Sequence, residues 1–385
     1  MAVEICVAAD ELKQTLEYIS LISGTGAAKG KKKDKTEDIK QTAGLVKITA
    51  VSPRKDKHYL LMFECLGATE QLLYRMEGKS YNSSDAVSTC IEGWRLSSLA
   101  KTFVGDVTLR FEDNHLGVSC GTSHFKIMKL QLELPKMNIP KDITPVALNI
   151  GFLANSVHHC NVACGREIAR PWLNCIQINL QADGKGICYA TDTHRLARYV
   201  ENNTGSKSNL SLLMLPGIIQ HIVEMCDQNF VEIIPAERCT YARTPRFDYQ
   251  VFNIVGKLPD CASLFNKFSS SMTIVMNRQK LINAVARASI MCDEAQDSRI
   301  KFASDTQAMY VESMCVGGSG LDSISLEKAT GKDDHAYNVS AISFSKILSS
   351  CASESIAIST QGHSLKPLLI GAPDSENSYI LAPMR

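Results

Sequence analysis

Three places in the chain bring together residue types that could do chemistry. Gly24-Thr-Gly26-Ala-Ala-Lys-Gly30-Lys31-Lys32 invites comparison with a phosphate-cradling loop. That loop needs four residues between its glycines and a Ser or Thr after the lysine, so that the hydroxyl reaches magnesium. Here five residues separate Gly24 from Gly30, and Lys32 follows Lys31, so nucleotide binding is not expected. His158-His159-Cys160 with Cys164 suggests a metal cluster, because Cys160 and Cys164 stand at i, i+4 on a helix. Against it, Cys160 falls on the stripe that should face the core, and no second ligand pair is evident. Asp192-Thr-His194-Arg195 could be an acid–base group, but no nucleophile accompanies it and it follows a strand-like run, as a turn would. No Ser/His/Asp elbow, HExxH or paired-carboxylate pattern occurs elsewhere. The expectation is a protein without catalysis, cofactor or metal. A metal-dependent enzyme built on His158, Cys160 and Cys164 is the rival reading.

The elements that would position these residues repeat along the chain. Val3, Ile5, Val7 lead into Leu12, Leu16, Ile19; Val146, Leu148, Ile150 into Leu153, Val157, Cys160; Met272, Ile274, Met276 into Leu281, Val285, Ala288. In each, period-two alternation switches to i, i+4, i+7, a strand face giving way to a helix face. A second helical stripe also recurs: Leu96, Ala100, Phe103; Ile218, Ile222, Met225; Phe344, Leu348, Cys351. Two helices at matching spacing, three times over, argue for three copies of a domain of roughly 125 residues. Short apolar runs broken by Asp113-Asn114 or Asp183-Gly184 read as hairpins. Each copy is then antiparallel sheet plus two helices, an α+β domain. The predicted domains are 1–143, 144–269 and 270–385, the first lengthened by a Lys-rich insertion at about 23–42.

The chain's 385 residues suit two or three domains. Lys+Arg (41) and Asp+Glu (40) cancel to +1, so any contact with nucleic acid must come from local charge placement. The insertion offers such placement: Lys29, Lys31, Lys32, Lys33, Lys35 and Lys40 could meet DNA phosphates. The fourteen cysteines are scattered without any Cys-x-x-Cys, which fits buried thiols in a reducing compartment. No apolar run is long enough to span a bilayer and no signal-like segment opens the chain, so a cytoplasmic protein without membrane contact is expected.

Four segments carry a resemblance. Ala190-Thr-Asp-Thr-His-Arg-Leu-Ala197 resembles the Ala-Thr-Asp-Gly-His-Arg-Leu-Ala signature of the bacterial replicative sliding clamps, the β subunits of DNA polymerase III. Tyr379-Ile-Leu-Ala-Pro383-Met384-Arg385 resembles that family's terminal Val-Met-Pro-Met-Arg, and Leu258-Pro259-Asp260 its Phe-Pro-Asp-Tyr. Arg170-Pro-Trp-Leu173-Asn174 matches the segment that opens the second domain's sheet. The four lie in the family's order across the whole chain, most strongly in the second domain and at the C-terminus.

The resemblance implies three tandem clamp domains per chain, sheets outside and two helices each inside, closed head-to-tail into a dimeric ring around double-stranded DNA. It implies partners in the DNA polymerase catalytic subunit, the clamp loader and other clamp-motif proteins. A peptide groove between the second and third domains would be lined by Leu173, Thr191, Thr193, His194, Arg195, Leu196, Pro259, Leu264, Pro367, Ile380, Ala382, Pro383 and Met384. Arg166, Arg170, Trp172, Arg278, Lys280 and Arg287 would face DNA with the lysine-rich loop. Phe125 and Ile127 of one chain would meet Ile290 and Met291 of the other. A non-ring adaptor that keeps the groove is the alternative. Thr193 stands where the family has Gly, so its turn must avoid positive φ or tolerate strain. Ala382 replaces a usual Met, which should widen the pocket, and Ser263 replaces a frequent Arg.

Overall fold

The computed structural model describes residues 3–23, 44–52, 59–292, 299–315 and 317–384. Seven α-helices among them are set among strands whose pairs are all antiparallel, an α+β arrangement. Each of the three first helices follows directly on a strand: Val3–Ala8 leads into Ala9–Ser23, Val146–Asn149 into Ile150–Cys160, and Met272–Asn277 into Arg278–Ile290. The alternating side chains (Ile5, Val7; Val146, Leu148; Ile274, Met276) are buried, as are the helical stripes Leu12, Leu16, Ile19 and Leu281, Val285, Ala288. In the middle copy the buried stripe is Phe152, Leu153, Ser156 and Cys160, with Val157 only half-buried. Phe152 takes the core position there and stacks on Tyr199 at 6.0 Å.

The second helices are Gly93–Ala100, Pro216–Met225 and Ala341–Ser350. The first stops at Ala100, so Phe103 is not part of the helical stripe. It lies beyond the helix, with its ring 6.0 Å from that of Phe125. Side chains cap the starts of Arg278–Ile290 and Ala341–Ser350 and satisfy N–H groups that have no intrahelical acceptor: Asn277 accepts from Lys280 N and Ser340 from Ser343 N. The expected hairpins form, Asp106–Phe111 with His115–Cys120 and Ile176–Leu180 with Gly186–Thr191. Gly184 makes the latter turn at φ 90, a conformation glycine adopts without steric cost.

Among the described residues the strands form four sheets, of five, eight, nine and four members. The two large sheets are composites. In the eight-stranded sheet, Phe247–Phe252 pairs with Glu70–Gly78 and so joins strands of the first and second copies, with Tyr249 opposite Leu72. In the nine-stranded sheet, Ser378–Leu381 pairs with Arg195–Glu201 and joins the second and third, with Tyr379 opposite Ala197. The five- and four-stranded sheets each end on a strand without a neighbour among the described residues, Ser123–Met128 and Gly318–Ser325.

The chain accordingly divides into two compact units, Met1–Ile150 with His221–Asn253, and Gly151–Gln220 with Ile254–Arg385. The border runs through the middle copy because its strands belong to two different composite sheets. Among the described residues no helix is long and apolar enough to cross a membrane.

Candidate functional site

The groove residues belong to the second unit, and a short chain of local structures positions them. Pro171 starts the 3-10 turn Pro171–Asn174, where its fixed φ suits the first helical position. That turn drives Leu173 inward, 2% exposed. Asp260 caps the helix Cys261–Asn266 by accepting from Ser263 N at 3.0 Å, and its i, i+4 pair Cys261 and Phe265 faces the same core. Leu196 and Ile380 lie directly opposite each other across the composite joint. Leu173, Tyr189, Leu196, Leu258, Cys261, Phe265 and Ile380 form one apolar cluster, with Trp172, Ile187, Leu213, Ala262 and Leu369 packed against it. The guanidinium of Arg198 lies 4.4 Å over the Phe265 ring while its Nε donates to the Glu376 carbonyl at 2.8 Å.

The rim is the turn of Asp192, Thr193 and His194 between Gly186–Thr191 and Arg195–Glu201. Thr193 adopts φ 77, so the turn keeps the left-handed conformation and tolerates a β-branched residue in it. Asp192 holds the turn together. Its Oδ1 accepts from His194 N at 3.0 Å and Arg195 N at 2.7 Å, and its Oδ2 from Arg195 Nε at 2.8 Å and the guanidinium NH2 at 2.5 Å. Thr191 Oγ1 accepts from Thr193 N at 3.1 Å and donates to the Arg195 carbonyl at 2.7 Å. Asp192 and Arg195 thus neutralise each other, and the pair serves the turn rather than proton transfer. The C-terminal segment is tied to this rim: Ala382 N donates to the His194 carbonyl at 2.9 Å, and Met384 N to the Asn338 carbonyl at 2.7 Å.

Of the expected groove residues, Leu173, Thr191, Leu196 and Ile380 are buried. Arg195, Pro367, Ala382, Pro383 and Met384 are half-buried, and Thr193, His194, Pro259 and Leu264 are exposed. Pro367 is fastened through its carbonyl to Gln361 Nε2 at 3.0 Å. Tyr189 and Phe265 were missed by sequence reasoning. Two signals point to them, the Ile187/Tyr189 alternation and the i, i+4 spacing of Cys261 and Phe265.

The cations assigned to DNA have mixed surroundings. Arg166 and Lys280 are exposed. Arg170 makes a two-pronged pair with Glu167 at 2.9 and 2.7 Å, and Arg287 pairs with Asp322 at 2.6 Å. Arg278 donates to the carbonyls of Ser353 at 2.6 Å and Leu348 at 3.2 Å, closing the end of helix Ala341–Ser350. The Trp172 ring packs against the apolar cluster and closely over Gly256, where an added Cβ would lie 2.4 Å from it. Lys29, Lys31, Lys32, Lys33 and Lys35 lie outside the described residues. Phe125 is 39% and Ile290 80% exposed, Met291 half-buried, and Ile127 faces its own core at 3%.

The suspected metal cluster is committed elsewhere. Cys160 is fully buried, which pushes its thiol well above the ordinary range, and burial raises Cys164 to about 12. His159 stacks on Tyr199 at 4.9 Å and its Nδ1 lies 3.0 Å from the Tyr379 hydroxyl. Burial, then His158, lowers its pKa to about 4. Ser350 Oγ donates to the same Tyr379 oxygen at 2.9 Å. These groups are a buried polar contact, not a thiolate site.

No family model and no curated protein matches the sequence. Solved structures do match along its length. The β chain of DNA polymerase III from Streptococcus pneumoniae superposes with a TM-score of 0.87 at 15% identity, covering 100% of each chain. The β subunit from Thermotoga maritima gives 0.84 at 16% identity, over 100% of this chain and 99% of that one. The DNA polymerase sliding clamp of Bacillus subtilis gives 0.83 at 17%, over 100% of each chain. With its strand-to-helix unit repeated three times and its composite sheets, the chain has the fold of the bacterial DNA polymerase III β-subunit sliding clamps.

Proposed function

We propose that the protein is a DNA sliding clamp: a homodimeric, cytoplasmic processivity factor without enzymatic activity. It encircles duplex DNA and is loaded by a separate clamp loader. Its three clamp domains, 1–143, 144–269 and 270–385, would supply the ring. The observation that carries the reading is the end-to-end correspondence with clamps from several bacteria, with nothing left over in either chain. The groove around Leu173, Leu196 and Ile380 captures short peptides of the polymerase and other clamp-motif proteins. In support, an apolar pocket with a small polar rim suits that task. Because Asp192 occupies Arg195, peptide anchoring there is apolar rather than ionic. Of the cations assigned to DNA, Arg166 and Lys280 are exposed and outside the ion pairs of Arg170 and Arg287, and with the lysines of residues 29–35 they are the ones offered to phosphates. Phe125 on one open edge, with Ile290 and Met291 beside the other, is the contact between copies, while Ile127 stays in its own core.

The test is topological. With a clamp loader, the protein should stay on nicked circular DNA through a salt wash and leave when the circle is linearised. Equal retention on both forms would refute encirclement.

A further inference from the structure

Arg198 brings a positive charge to the apolar cluster that lines the groove. It stands two residues beyond Leu196 on the strand Arg195–Glu201, and side chains two apart on a strand share a face. The face that carries Leu196 into the cluster therefore continues to Arg198. Tyr189 lies directly opposite on the neighbouring strand, and the Phe265 ring lies 4.4 Å from the guanidinium. Both rings belong to the cluster, and Arg198 is half-buried beside them.

The partners of this guanidinium are all neutral. Its Nε donates to the Glu376 carbonyl at 2.8 Å and its Nη2 to the Ser378 hydroxyl at 3.2 Å, while Nη1 has no acceptor among the described residues. A guanidinium stays charged, and one drawn partly out of water calls for an anion. The carboxylates of the surrounding elements are committed elsewhere. Glu376 turns its side chain to Lys185, with Oε2 3.3 Å from Nζ. Asp260 caps the helix that carries Phe265 by accepting from Ser263 N. Glu201 accepts from the Tyr199 hydroxyl at 3.0 Å, and Asp192 is neutralised by Arg195. What remains is a planar fork, fixed by an aromatic ring and a carbonyl, whose N–H groups match the two oxygens of a carboxylate. We infer that Arg198 is a specificity-determining residue of the groove, and that the peptides it selects carry a carboxylate, on a side chain or at the C-terminus, beside their apolar anchors. The inference rests on the peptide-capture reading above. It adds an ionic contact that the rim, with Arg195 occupied, does not supply.

Calorimetry on the full chain with three synthetic peptides tests this. All are built on acetyl-Ser-Leu-Ala-Leu-Ala, whose alternating leucines put both anchors on one face of an extended chain. One ends in a free carboxylate and one in an amide, and the third is the amide with Asp in place of Ser. A hydrogen bond between charged partners corresponds to a factor of about ten or more, so at least one acidic peptide should bind about tenfold tighter than the neutral amide. The peptide that gains shows whether a side chain or a terminus is read. Arg198→Gln, or Arg198→Met, which keeps the apolar stem beside Phe265, should bring the ratio of acidic to neutral affinity to about one. A merely structural role would weaken all three peptides together and leave that ratio as it was. Equal affinity of the three for the wild type, or a preference that survives both variants, would overturn the inference and leave the groove standing. No binding of any of the three would overturn both.

Discussion

Thr193 offers a clean measurement of strain at the groove. Its φ of 77 is a conformation that costs a residue with a Cβ about 1–2 kcal/mol and costs glycine almost nothing. The side chain is exposed, and the backbone bond from Thr193 N to Thr191 Oγ1 does not depend on residue type. Thr193→Gly should therefore relieve the strain without removing a contact. Glycine's greater freedom in the unfolded chain returns about 0.5–1 kcal/mol. The net gain is about 0.5–1 kcal/mol, a rise of ~2–4 °C in Tm per kcal/mol for a folding unit of this size. Chemical and thermal unfolding of wild type, Thr193→Gly and Thr193→Ala would be compared. Alanine keeps the Cβ and the strain, so it should stay within about 0.5 kcal/mol of wild type. If glycine is no more stable than threonine while alanine matches both, the turn carries no strain and the reasoning fails.

Other outcomes follow from the same geometry. Asp192→Ala strips four donors of their acceptor and leaves Arg195 unpaired; it should cost about 2–4 kcal/mol and loosen peptide binding, while Arg195→Gln should weaken binding far less, as read by calorimetry. Tyr379→Phe removes the hydroxyl shared by His159 and Ser350 and should destabilise the second unit by about 1–2 kcal/mol in urea unfolding. His159 has a folded pKa of about 4, below its unfolded value of about 6.5, so its neutral form is the one that folding favours. Its contribution is complete above pH ~6.5 and is lost as pH falls toward ~4, by about 1–2 kcal/mol once solvent screening is allowed for. His159→Gln should flatten that part of the stability–pH curve, and an unchanged slope would assign the acid sensitivity elsewhere.

The three strand-to-helix transitions were legible because burial imposes a period on each element, two on Val3–Ala8 and 3.6 on Ala9–Ser23, and the switch between them can be seen in one sequence. Phe103 and Val157 show where periodicity misleads. An apolar residue at the right spacing continues a stripe on paper even after the helix has ended at Ala100, or where Phe152 has taken the core position. The groove was legible as motifs, because Leu173, Leu196 and Ile380 sit in short local structures with their own signatures. What could not be read locally was commitment to neighbours. Arg278 reads as a free cation on a helix, yet its guanidinium closes another helix whose carbonyls lie some 70 residues away along the chain. The joints between copies are equally remote, since nothing near Glu70–Gly78 announces Phe247–Phe252 as its partner.

The placement of Ser378–Leu381 constrains how the chain can be made. These four residues form an interior strand of the nine-stranded sheet, between Arg195–Glu201 and Leu368–Gly371. Until residue 381 has left the ribosome, Arg195–Glu201 is an open edge, and the apolar cluster around Leu196 lacks Ile380. The first unit has all its strands by Phe252 and can close during synthesis. The second must wait with an unpaired strand exposed, the interval in which chaperone binding and misassembly compete with folding.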